Sequence, residues 1–146
     1  MAWPVSALLA RSIGRRPRRG WSYPERPPAT TPKAGRGTAF GDLDDNGTVD
    51  VVVNNVHDTP DVWLTSTAAD RSWLVLRLIG TRSNRSAIGA RVRVVADSIS
   101  QIREVHGGGS YLSQNDLRVH VGLGAARLVE RVEVRWPNGL EEVWTD

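Results

Sequence analysis

From residue 38 to the end of the chain, apolar residues recur with a period of two, in runs roughly ten residues apart. IGARVRVV at 88–95 sets Ala90, Val92 and Val94 against Arg91 and Arg93. VERVEVRW at 129–136 sets Val132 and Val134 against Glu133 and Arg135. Such alternation suits a strand with one face in a core and the other in water. LRVHV at 117–121 alternates as well, VVV at 51–53 is a short β-branched run, and QIREVH at 101–106 supplies a partner strand. WLVLRLI at 73–79 is apolar almost throughout and stops at Gly80. Pro137-Asn138-Gly139 is a turn signal, and with LEEVW at 140–144 it predicts a closing hairpin. No helical period competes. The pattern predicts an all-β chain whose C-terminal part is an antiparallel β-sandwich or partly closed barrel.

Composition limits what this fold can do. There is no apolar run near 18 residues, so no membrane span is expected. The absence of cysteine excludes disulfides, thiolate metal sites and cysteine nucleophiles. The net charge of +3 is an average of unlike parts. Residues 1–36 hold eight of the 19 basic residues and one acid, Glu25, for +7, which leaves −4 for residues 37–146. The N-terminal segment also holds most of the prolines and the RRPRR run, so it is expected to be disordered. Its apolar stretch at 2–10 precedes its positive charges, the reverse of a secretion signal. A basic tail gives non-specific phosphate affinity, but nothing here reads bases, so nucleic acid is not an expected partner.

One stretch carries chemistry. In GDLDDNGTVD, residues 41–50, Asp42, Asp44 and Asn46 fall at positions 1, 3 and 5 of a loop counted from Asp42. Gly47 at position 6 permits a sharp turn, the carbonyl of Thr48 at position 7 can face inward, and Asp50 stands at position 9. Oxygen ligands so spaced converge on a hard cation, and the loose geometry of Ca²⁺ suits them. Asp45 is expected to face solvent. Position 12 is Val53, and the residues after the loop are strand-like, so this is not an EF-hand. The simpler alternative is an Asn46-Gly47 β-turn with incidental acids.

With its flanks, GTAFGDLDDNGTVDVVV at 37–53 resembles the FG-GAP repeat of integrin-type β-propellers. The resemblance implies calcium binding at Asp42, Asp44, Asn46 and Asp50, with no residue needed at position 12. SNRSAIGARVRV at 83–94, REVHGGGSYLSQND at 103–116, HVGLG at 120–124 and VEVRWPNG at 132–139 resemble the ASPIC/UnbV domain of cartilage acidic protein-like proteins. That resemblance implies a propeller upstream and a secreted or cell-surface setting. It also expects a glycine in the hairpin turn where ADSIS stands at 96–100. Because one repeat cannot close a propeller, the chain is expected to be the C-terminal part of a larger protein. The expected layout is a disordered segment at 1–36, a hairpin-like FG-GAP repeat at 37–66 forming a partial blade, and the β domain at 67–146.

Other residues invite sharper readings. His106-Gly107-Gly108-Gly109-Ser110 lacks the lysine and helix of a phosphate-binding loop and reads as an inter-strand loop. His57, His106 and His120 could each act as a base, but no spacing supplies a nucleophile, so catalytic residues are not expected. Asn46 and Asn84 stand in glycosylation tripeptides, and Tyr111, Trp136 and Trp144 are expected in the core. The leading expectation is a non-enzymatic, calcium-stabilised extracellular binding module with a protein or glycan partner. The rivals are an accessory enzyme of hydrolase type in natural-product biosynthesis and nucleic-acid binding through the basic segment.

Overall fold

The computed structural model describes residues 6–11, 32–66 and 71–145. Those residues form twelve strands and no helix, so none is long and apolar enough to cross a membrane. After β1 (Ser6–Arg11), β2 (Gly35–Gly41) and β3 (Asp50–Asn55) flank the acidic loop, with Gly41 opposite Asp50 and Ala39 opposite Val52. β4 (Asp61–Trp63) adds to β3, so the expected hairpin is a three-stranded sheet, β2-β3-β4. It begins at Gly35, two residues before the expected start.

The apolar run is β5 (Ser72–Gly80). β6 (Arg91–Ala96) and β7 (Ile99–Glu104) form a hairpin, followed by the short pair β8 (Gly109–Ser110) and β9 (Ser113–Gln114). Then come β10 (Val119–Gly124), β11 (Arg131–Arg135) and β12 (Glu141–Thr145). Two sheets of these strands, ordered β1-β5-β10 and β12-β11-β6-β7, enclose one core. All pairings among them are antiparallel, and no sheet closes into a barrel. Period-two alternation decides which residues meet there. Val92 and Val94 of β6 lie opposite Val134 and Val132 of β11, and face Leu74, Leu76, Val119 and Val121 across the core. Each such side chain, once fully buried, contributes about 1.5–3 kcal/mol. Trp136 is in this core as expected and Trp144 packs partly against it, whereas Tyr111 is exposed in the β8–β9 turn. A two-residue hairpin gives an aromatic ring no core to enter.

Three details add to or correct the sequence reading. Ser6–Arg11, expected to be disordered, pairs with β5 from Ser6 opposite Gly80 to Arg11 opposite Val75. That edge of β5 would otherwise expose a row of unpaired backbone groups, and the short apolar run supplies a strand to cover it. Residues 1–5 and 12–31 lie outside the described residues. The β6–β7 turn has no glycine, and Asp97 instead takes φ of 47° so that Ala96 can pair with Ile99. Finally, β5 is buried on both faces. Leu74, Leu76 and Leu78 enter the core, while Trp73 and Val75 are buried on the opposite face. Gly47 of the acidic loop packs on Trp73.

Candidate metal centre

Residues 42–50 connect β2 to β3, so the loop ends are fixed by the pairing of Gly41 with Asp50. Its acids turn inward because backbone N–H groups hold them. Asp42 accepts from Asn46 N at 3.0 Å and from Gly47 N at 2.9 Å, and Asp50 accepts from Leu43 N at 2.9 Å and Thr65 N at 2.8 Å. Asp42, Asp44 and Asp50 thereby bring one carboxylate oxygen each within 4.8 Å of one another. Asp42 is 4% and Asp50 0% exposed, and Asp44 is half-buried. Burial pushes the Asp42 carboxyl above the usual carboxylate range, and the Asp44 charge adds to this. The Gly47 and Asn46 N–H groups and His120 oppose it.

The structure places the five expected ligands unevenly. Asp42, Asp44 and Asp50 converge. Asn46 instead turns its Oδ1 to Thr48, accepting from Thr48 N at 2.8 Å and from the Thr48 hydroxyl at 2.5 Å. Its amide group donates to Asp44 Oδ2 and to the Thr65 carbonyl, both at 2.9 Å. The Thr48 hydroxyl is also 2.8 Å from that carbonyl, a second acceptor competing for its single proton. Asn46 and Thr48 thus tie the loop to Thr65, a residue the ligand spacing gave no reason to single out. The donor set fits a hard cation through its three carboxylates, which are all oxygen ligands and largely desolvated. A second positive charge is near but engaged elsewhere. Arg118 donates to Asp45 Oδ1 at 2.7 Å, to Asp116 Oδ2 at 2.6 Å and to the Asp42 carbonyl at 2.6 Å. Asp45 faces outward as expected, yet it is paired with Arg118 and takes φ of 54°.

Beneath the loop, Gly47 lies on Trp73 and its carbonyl meets His120 Nε2 at 2.7 Å. A carbonyl can only accept, so Nε2 carries the proton here. The His120 ring stacks on Trp73, with centroids 6.3 Å apart and planes 12° from parallel. Alternation in β10 explains this placement, since Val119 and Val121 enter the core and His120 must face the other way. β2 is tied down alongside. Asp116 N donates to the Phe40 carbonyl at 2.9 Å, Phe40 N to Asn115 Oδ1 at 3.1 Å, and Ser113 Oγ to the Thr38 carbonyl at 2.8 Å.

The remaining candidates stand apart from one another. His106 is exposed beside Glu104 at 3.7 Å, and Tyr111 lies under Arg36, whose guanidinium is 4.9 Å from the ring centroid. His57 is exposed, with φ of 55°. Gly107 and Gly108 lie in the loop leading into β8, and Gly109 is its first residue. The Asn84 side chain exchanges two hydrogen bonds of 2.8 Å with the backbone of Ile88, and that of Asn46 is committed within the acidic loop.

No curated protein matches the chain. Residues 80–146 match the family model described as ASPIC and UnbV, so strands β6 to β12 are the part of the chain that this family covers.

Proposed function

We infer that the loop at residues 42–50 binds Ca²⁺ through Asp42, Asp44 and Asp50, and that the ion stabilises a β module used in extracellular recognition. The observation that carries this reading is the set of three carboxylates within 4.8 Å, two of them buried, beside an arginine already committed to other groups. Gathering three anions, two of them buried, is unfavourable, and a hard divalent ion neutralises them. The resemblance of residues 37–53 to an FG-GAP repeat supports the choice of ion. The resemblance of the C-terminal strands supports the setting, as part of a larger propeller-bearing protein that contacts a protein or glycan.

The bound ion would supply charge neutralisation and rigidity, with no part in bond breaking. Melting in Ca²⁺ and in chelator tests the reading. At a hundredfold excess over its dissociation constant the ion stabilises by about 2.7 kcal/mol. For a chain of this size that is roughly 5–11 °C. The shift is expected in the native protein and lost in Asp44→Ala; an equal shift in both, or none in either, would remove the site.

A further inference from the structure

We propose that the cleft between the end of β5 and residues 116–118 binds the tetrahedral oxyanion of a sugar ester, a sulfate or phosphate carried on a hexose-sized ring. The cleft has a volume of about 460 Å³ and is lined by Arg77, Leu78, Ile79, Arg85, Ser86 and residues 116–118.

The cleft arises from the docking described above. β10 pairs with β5 only as far as Val119 opposite Leu76. The residues before it, which would otherwise continue alongside Arg77 and Leu78, are bonded instead to β2 and the acidic loop through Asp116 N and the Arg118 guanidinium. The two segments diverge, and a gap opens. On its other edge β5 remains paired, with Arg77 opposite Leu9 and Leu78 opposite Leu8.

The chemistry of the lining then selects the ligand. Arg118 already uses its Nε and both Nη atoms on Asp116, Asp45 and the Asp42 carbonyl, and two carboxylates offset its charge, so the anion is assigned to the other two arginines. Arg77 and Arg85 are exposed and have no ion pair among the described residues. Two uncompensated guanidiniums in one half-enclosed cleft favour a multiply bonding oxyanion over a single carboxylate, which one arginine satisfies. Leu78, Ile79 and Leu117 give an apolar wall suited to a ring face, while the Ser86 hydroxyl and the Asp116 carboxylate are polar groups within reach of ring hydroxyls. The volume admits a monosaccharide ester and excludes folded macromolecules.

Calorimetric titration of the full chain with glucose 6-sulfate, glucose 6-phosphate, inorganic sulfate, inorganic phosphate and glucose tests this. Saturable binding is expected for one or both sugar esters, tighter than for the matching inorganic ion, and the two esters tell sulfate from phosphate. Arg77→Gln and Arg85→Gln are each expected to weaken it by about tenfold or more, as for loss of a charged hydrogen bond. Arg93→Gln removes the same charge from a different face and is expected to leave binding unchanged. All three sites are exposed, and unchanged melting confirms that the variants fold. No saturable binding of either ester, equal loss in Arg93→Gln, or stronger competition by a single-stranded oligonucleotide than by the esters would overturn the proposal.

Discussion

Gly47 lies so close to Trp73 that a Cβ added there would sit 2.0 Å from the indole Nε1. The glycine at position 6 therefore answers two demands: the turn needs φ of +89°, and the packing needs no side chain. Gly47→Ala is expected to destabilise the protein by about 2–5 kcal/mol, combining left-handed backbone strain with overpacking against a rigid ring. Urea unfolding measures it. A loss below 1 kcal/mol would mean that the loop does not rest on Trp73 in solution.

The protonation of Asp42 gives a prediction whose sign depends on the ion. In chelator its raised pKa means that the folded state holds the proton more tightly than the unfolded state. This contribution is fully present below the ordinary value of 3.8 and is lost as pH rises through the folded value. In chelator, native protein compared with Asp42→Asn should therefore lose relative stability as pH rises from 3 to 7. With Ca²⁺ present the trend reverses, because protons compete with the ion for the same carboxylate. Melting both proteins across that range in both conditions decides it, and a trend of one sign throughout contradicts the calcium reading.

Arg118 joins its near neighbour Asp116 to two groups of the distant acidic loop, Asp45 and the Asp42 carbonyl. Its side chain is 25% exposed, so water screens the pairs only in part. Arg118→Gln is expected to cost about 2–3 kcal/mol, below the sum for isolated charged hydrogen bonds. Amide exchange at Asn46 and Gly47 should quicken as the loop loosens. Arg118→Lys should not restore the native value, since one ammonium cannot span partners that a guanidinium fork reaches.

The β6–β7 turn offers a stabilising change. Asp97 holds a positive φ at an exposed position, where an L-residue costs about 1–2 kcal/mol and glycine costs only chain entropy. Asp97→Gly is expected to gain about 0.5–1 kcal/mol in urea unfolding. A loss would show that the aspartate side chain has an unrecognised local role.

Periodicity made the sheets legible because burial on one face leaves an alternating mark. Val92, Val94, Val132 and Val134 could be assigned to the core from their neighbours alone. The acidic loop was legible for a similar reason, since converging ligands must recur at fixed short spacings, and Asp42, Asp44 and Asp50 do converge. What holds the loop in place could not be read. His120 looked like one more alternating strand residue, and it is, but its partner Gly47 lies 73 positions away. No local pattern encodes that distance. Asn46 is placed in the ligand set by spacing, and the spacing did not indicate that its amide also bonds Thr48, Asp44 and Thr65. β1 was missed because the surrounding composition favoured disorder, and six residues were too few to argue otherwise.

The clamp on the acidic loop also sets a timetable for folding. The bonds inside residues 42–50 span at most seven positions and can close as soon as that stretch is synthesised. The bonds from Arg118 and His120 span 73 to 76 positions and must wait until β10 has emerged. Chains grow from the N-terminus, and contacts of such long range form slowly. Until then Trp73 and Val75 lack the cover that β10 helps to hold over them. The acidic loop is thus written early in the chain and locked late, and the nascent protein passes through a stage in which its most apolar strand is unprotected.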